Sequence, residues 1–124
     1  MSKKNSDMYT VFGIPNCDTV KKAITWLKEH KIDYLFHDYK VSGIDAATLK
    51  SWTEQVDWEL IFNKRSTTYK ELPSSTQQTV TTASKAISIM QQHTSIIKRP
   101  IIVKKGKVVA IGFDAKKYEE VFRL

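Results

Sequence analysis

The chain has 124 residues, 20 lysines and arginines against 13 aspartates and glutamates, a net charge of +7, and 41% hydrophobic residues. That length suits one domain with a core of its own, without disulfide or metal staples, and the composition is that of a soluble globular protein. No apolar run approaches the roughly 20 residues that cross a membrane, and the single cysteine, Cys17, excludes an intrachain disulfide.

Residues 1–8 are expected to form a disordered tail. They hold no apolar stretch of the kind a secretory signal needs. An unpaired thiol and the lack of such a signal point together to a reducing cytoplasm. Tyr9 to Gly13 reads as a first strand, followed by the turn Ile14-Pro15-Asn16. From Asp18 to His30, Val20, Ala23, Ile24 and Leu27 recur at i, i+3, i+4 and i+7, which is one face of a helix. Tyr34-Leu35-Phe36 then mark a second strand within residues 33–39. A strand, a helix and a strand joined by short links make a βαβ unit with parallel strands.

The middle of the chain is helical. Asp45 is placed to cap a helix bearing Leu49, Trp52 and Val56. Residues 58–62 form a short apolar segment, and residues 63–73 are polar and turn-like. Ser74 or Ser75 is expected to cap one further helix with Val80, Ala83, Ile87 and Met90 along a stripe. The last third returns to a strand pattern. Ile101-Ile102-Val103 follow Pro100, Lys105-Gly106 make a tight turn, and residues 107–111 return as a hairpin. Asp114 caps a final helix with Tyr118, Val121 and Phe122 on one side. The expected fold is α/β and thioredoxin-like: a four-stranded mixed sheet, β-α-β then β-β-α, in one domain over residues 9–124 with an all-helical insertion at about 45–92.

The positive charge suits anionic partners. Its lysines, however, fall in scattered groups such as Lys21-Lys22 and Lys104-Lys105-Lys107, the pattern of solvated faces rather than of a nucleic-acid groove. Most free cysteines are small buried hydrophobes. Cys17 differs by opening a helix, where unpaired N–H groups and the positive end of the dipole favour the thiolate. The adjacent Asp18 raises the thiol pKa if the two charges face each other, and otherwise supports the helix dipole. Arg65 and Arg99 lie outside the helical periodicity. A guanidinium beside a nucleophilic thiolate would hold an anionic substrate through its planar fork. Pro100 heads a core strand, where either isomer of the preceding bond is open. His30, His37 and His93 lie on different elements, without metal-site spacing.

The stretch Val11-Phe12-Gly13-Ile14-Pro15-Asn16-Cys17-Asp18-Thr19-Val20-Lys21-Lys22-Ala23 resembles the active-site strand, loop and helix of the ArsC-like (arsenate reductase/Spx) family. Phe36-His37-Asp38-Tyr39, Asn63-Lys64-Arg65-Ser66-Thr67-Thr68-Tyr69, Ile96-Ile97-Lys98-Arg99-Pro100-Ile101 and Ile111-Gly112-Phe113 follow in the family's order. The resemblance is above all to its YffB branch, described as glutathione-dependent thiol reductases. It implies a catalytic cysteine at Cys17, anion-binding arginines at Arg65 and Arg99, and a cis-proline at Pro100. It implies substrate or glutathione contacts from Asn16, Asp18, Thr19, Arg65, Arg99 and Pro100, with glutathione as co-substrate and no metal.

The function expected is a cytoplasmic, monomeric monothiol reductase. The Cys17 thiolate would attack an oxidised or oxyanion substrate, and glutathione would resolve the adduct. Two departures narrow this. The third arginine of glutathione-dependent arsenate reductases is absent from Ile111-Gly112-Phe113-Asp114, and Val20 stands where the Spx regulators carry a second cysteine. Arsenate reduction proper and a Spx-like regulator that binds RNA polymerase without catalysis are the alternatives.

Overall fold

The computed structural model describes residues 8–122. The tail expected over residues 1–8 lies, apart from Met8, outside the described residues. In chain order the elements are β1 (Tyr9–Gly13), α1 (Asp18–Glu29), β2 (Tyr34–Asp38), α2 (Tyr39–Ser42), α3 (Ala46–Gln55), α4 (Thr67–Glu71), α5 (Ser74–Gln77), α6 (Ala83–Gln92), β3 (Ile101–Lys104), β4 (Lys107–Ile111) and α7 (Ala115–Phe122). Short 3-10 turns occupy Trp58–Leu60 and Thr94–Ile96. They fall into two compact units, one running to Asp38 and resuming at Arg99, the other spanning Tyr39–Lys98. The helical segment expected at about 45–92 thus extends further at both ends.

The first unit is a four-stranded sheet in the order β2-β1-β3-β4. β1 pairs with β2 in parallel, and with β3 in the antiparallel sense. β3 and β4 form the antiparallel hairpin, with a register shift between Ile102 and Val103. This is the mixed sheet that the strand pattern predicts. At the hairpin turn, Lys105 and Gly106 both take positive φ, at 51° and 79°. That is the geometry a two-residue turn between twisted strands requires.

On one sheet face, Val11 and Ile102 bury against Ala23, Trp26 and Leu27 of α1 and Tyr118 of α7. The α1 stripe is nearly as expected. Val20, Ala23 and Leu27 are buried, but Trp26 takes the place given to Ile24, which is only half-buried. The indole stacks on His30 at 3.8 Å between ring centroids and meets Tyr118 edge-on at 5.2 Å. Asp114 caps α7, its carboxylate accepting from the N–H groups of Lys116 and Lys117.

The second unit is built from short capped helices. Asp45 accepts from the Thr48 N–H at 2.8 Å, as its position predicts, and Leu49 and Trp52 are buried. Two expectations fail here. Residues 63–73 are not all turn, because the Ser66 hydroxyl accepts from the Tyr69 N–H and starts α4. The single helix expected from Ser74 onward is two. The Thr79 hydroxyl donates to the Thr76 carbonyl at 2.6 Å, ending α5, and the Thr82 hydroxyl caps α6. Serine and threonine side chains that bond nearby backbone compete with helix continuation. The core stripe of α6 is accordingly Ala86, Ile89 and Met90. An isolated bridge between Phe62 and Ile97 and bonds from Asn63 N–H to Ile96 O and Lys98 N–H to Ile61 O close this unit.

Candidate active site

Cys17 is the N-cap of α1, with extended backbone at φ −147° and ψ 123°. Its carbonyl accepts the first helical bond, from Lys21 N–H at 2.9 Å. The thiol is therefore presented at the helix entry, and it is half-buried and free. The strand before α1 approaches the helix closely at Gly13. A Cβ there would lie 2.9 Å from Val20 Cγ2 and 3.9 Å from Arg99 Cβ. Glycine is thus required by space, and it lets the strand end pack against Val20 of the first helical turn.

Arg99 reaches this place through sheet register. β3 runs antiparallel to β1 with Ile101 opposite Phe12. The residues before Ile101 therefore run past the end of β1, towards the turn that carries Cys17. The Arg99–Pro100 peptide bond is cis. Pro100 is buried, and Arg99 is half-buried.

Burial of the sulfur acts to raise its pKa, and this is the largest single influence. It is outweighed by the Val20 N–H, by a hydrogen bond and the positive charge of the Arg99 guanidinium, and by the Thr19 N–H. The net result is a thiol below its ordinary value. No N–H of the first turn makes a well-aligned capping bond to the sulfur. The backbone acts instead through the dipoles of N–H groups directed at it. Asp18 is exposed in the first turn of α1 and is not among the groups that move the Cys17 pKa.

The structure thus brings together Cys17, the backbone of Thr19 and Val20, and Arg99, with Pro100 attached to Arg99. Asn16 is exposed in the turn before the thiol. Arg65 belongs to the second unit. It is exposed there, and its N–H donates to the Asn63 side-chain oxygen at 3.0 Å. Gly13 is the residue that sequence reasoning passed over. Its signal was present, a glycine closing a strand just before the turn to the cysteine. Among the described residues, no group of three or more His, Cys, Asp or Glu could hold a metal ion, and no helix is long and apolar enough to cross a membrane.

Residues 12–121 match the family model described as the ArsC family. The chain belongs to the ArsC family. An uncharacterised protein of Haemophilus influenzae is 43% identical over 115 residues, covering 93% of this chain and 99% of that one. The Streptococcus pneumoniae protein named global transcriptional regulator Spx is 29% identical over 110 residues, covering 86% of this chain and 80% of its own. Among solved structures, a protein named YffB superposes with a TM-score of 0.86 at 38% identity, over 92% of this chain and 98% of that one. ArsC-family membership and the mixed α/β sheet agree with the thioredoxin-like fold expected from the strand order.

Proposed function

We propose that this ArsC-family protein is a glutathione-dependent monothiol reductase acting in a reducing compartment such as the cytoplasm. The observation that carries the proposal is Cys17 at the start of α1, where the Arg99 guanidinium and the Thr19 and Val20 N–H groups act to favour the thiolate. Lowering the thiol pKa raises the share of thiolate, the form that attacks disulfide sulfur.

The chemistry closes with one protein thiol and external glutathione. The Cys17 thiolate attacks one sulfur of an oxidised substrate, forms a mixed disulfide and expels the other sulfur as a thiolate. A glutathione thiolate attacks the Cys17 sulfur or its bonded partner, and a second glutathione completes the exchange. Two glutathiones become one disulfide, the substrate gains the two electrons, and Cys17 returns as thiolate. The chain has no second cysteine to resolve the adduct itself. Arg99 would hold an anionic group of substrate or glutathione beside the sulfur, with the Thr19 and Val20 N–H groups as further donors. The roles of Arg65, Asn16, Asp18 and Pro100 in binding rest on the family resemblance.

The test is intact mass after incubation with oxidised glutathione, followed by turnover of a model disulfide with reduced glutathione. One adduct at Cys17, reversed by thiol and absent in Cys17→Ser, is expected, together with turnover. No adduct, or an alkylation midpoint at or above the free-thiol value of about 8.5, would count against an activated thiolate.

The likeness to a protein named global transcriptional regulator Spx favours one second reading, a regulator, for which the family resemblance gives RNA polymerase as the partner. Capture of polymerase without glutathione turnover would select it, since one fold hosts both roles.

A further inference from the structure

Tyr118 is 1% exposed. Its ring meets Trp26, Phe113 and Phe122 at centroid distances of 5.2, 5.0 and 5.4 Å. These surroundings are aromatic and would suit phenylalanine. The hydroxyl is therefore the unexpected atom. Burial pushes the phenol well above its ordinary pKa, so it stays a neutral donor.

That donor has a definite target. The Tyr118 hydroxyl donates to the Gly112 carbonyl at 2.6 Å. The Gly112 N–H in turn donates to the Pro100 carbonyl at 2.8 Å. Gly112 has φ +75°, and a Cβ there would meet nothing within 4 Å. Backbone conformation, not space, is what calls for glycine. Pro100 follows Arg99 directly, and the Arg99 guanidinium acts to lower the Cys17 pKa. Two hydrogen bonds and one peptide unit thus connect a buried hydroxyl on α7 to the segment that carries the cation of the thiol site.

We propose that Tyr118 is a positioning residue for this site, its hydroxyl fixing the Gly112 loop and, through it, the Pro100–Arg99 segment beside Cys17. The proposal rests on the reading of Cys17 as a nucleophile, but not on the identity of its substrate. Nothing in the relay touches the reacting sulfur except Arg99. Loss of the hydroxyl should therefore act only as far as it displaces Arg99.

The experiment measures the pH profile of Cys17 alkylation in the intact protein. Arg99→Ala should move the midpoint up by about one unit, as expected when a neighbouring opposite charge is removed. Tyr118→Phe, which keeps the ring, should move it in the same direction by a fraction of that, about half a unit. Adding Tyr118→Phe to Arg99→Ala should move it no further. Gly112→Ala is a second variant that disturbs the same relay from its middle, and it should shift the midpoint as Tyr118→Phe does.

Phe122→Leu is the control, because it loosens the packing around Tyr118 without touching the relay. It should lower the melting temperature and leave the midpoint in place. The proposal is overturned by an unmoved midpoint in folded Tyr118→Phe, or in folded Gly112→Ala where Tyr118→Phe does not fold. An additive shift on the Arg99→Ala background overturns it too, as does an equal shift in Phe122→Leu. A wild-type protein that shows no turnover with glutathione would sink the reductase reading and leave this measurement of thiol acidity standing.

Discussion

The two compact units are held by different means. In the first, the order comes from pairing between distant segments: β1 lies between β2 and β3, and α1 and α7 bury Trp26 and Tyr118 on one face. In the second, Tyr39–Lys98, it comes from short helices started by single side chains, Asp45, Ser66 and Thr82, around Leu49, Trp52, Ile89 and Met90. Close packing at a glycine matters in the first unit, where a Cβ at Gly13 would crowd the Val20 side chain. Side-chain volume and capping matter in the second, which the Phe62–Ile97 bridge and its flanking bonds close. The thiol site depends on strand register, whereas the helical unit depends more on caps and on bulk.

The greatest loss of stability is expected from the core of the helical unit. Trp52 is 1% exposed in the helical unit. Trp52→Ala should cost about 3–5 kcal/mol, the usual loss for a large buried aromatic, read as a shift in the urea midpoint. A loss below about 1 kcal/mol would mean that bulk does not hold this unit together.

A smaller effect is expected from Gly13→Ala, which adds one methyl where strand and helix meet. It should cost about 1–3 kcal/mol by overpacking. It should also slow alkylation of Cys17 at neutral pH, because Val20 in the first turn of α1 must give way. A variant destabilised to that extent but with unchanged thiol reactivity would separate the packing at Gly13 from the site.

The smallest effect sharpens the comparison through pH. Folded Cys17 has a pKa below the ordinary thiol value. The unfolded chain therefore holds the thiol proton to higher pH than the folded one does. The resulting stabilisation is fully present above the unfolded pKa and is lost as pH falls through the folded pKa. Stability should thus gain a small component that rises with pH up to the unfolded thiol value of about 8.5, and Cys17→Ser should remove it. Melting temperatures of the two proteins across that range provide the check. Parallel curves would show that the site does not favour the thiolate in the fold.

Local features were legible in the residues. The α1 stripe, the Asp45 and Asp114 caps, the Lys105-Gly106 turn and the parallel-then-hairpin strand order all follow from periodicity and turn chemistry. The threonine-rich stretch was not, because hydroxyls that bond the backbone compete with the helix that the apolar stripe suggests. The Thr79 and Thr82 bonds that divide α5 from α6 decide that competition. Trp26 was missed on α1 for a related reason. It lies between the stripe positions, and its large ring swings into the space between α1 and α7 beside Tyr118.

The residues alone place a lone thiol at a helix start, without an internal resolving partner, and offer two arginines and a proline as candidates to serve it. That Arg99, and not Arg65, acts on the thiol follows from the fold. The physical reason is register. Antiparallel pairing of Ile101 with Phe12 runs the Arg99–Pro100 segment past the end of β1. The relay through Gly112 to Tyr118 lies at the same level, because a hydroxyl on the last helix finds its carbonyl only after the hairpin and α7 have packed.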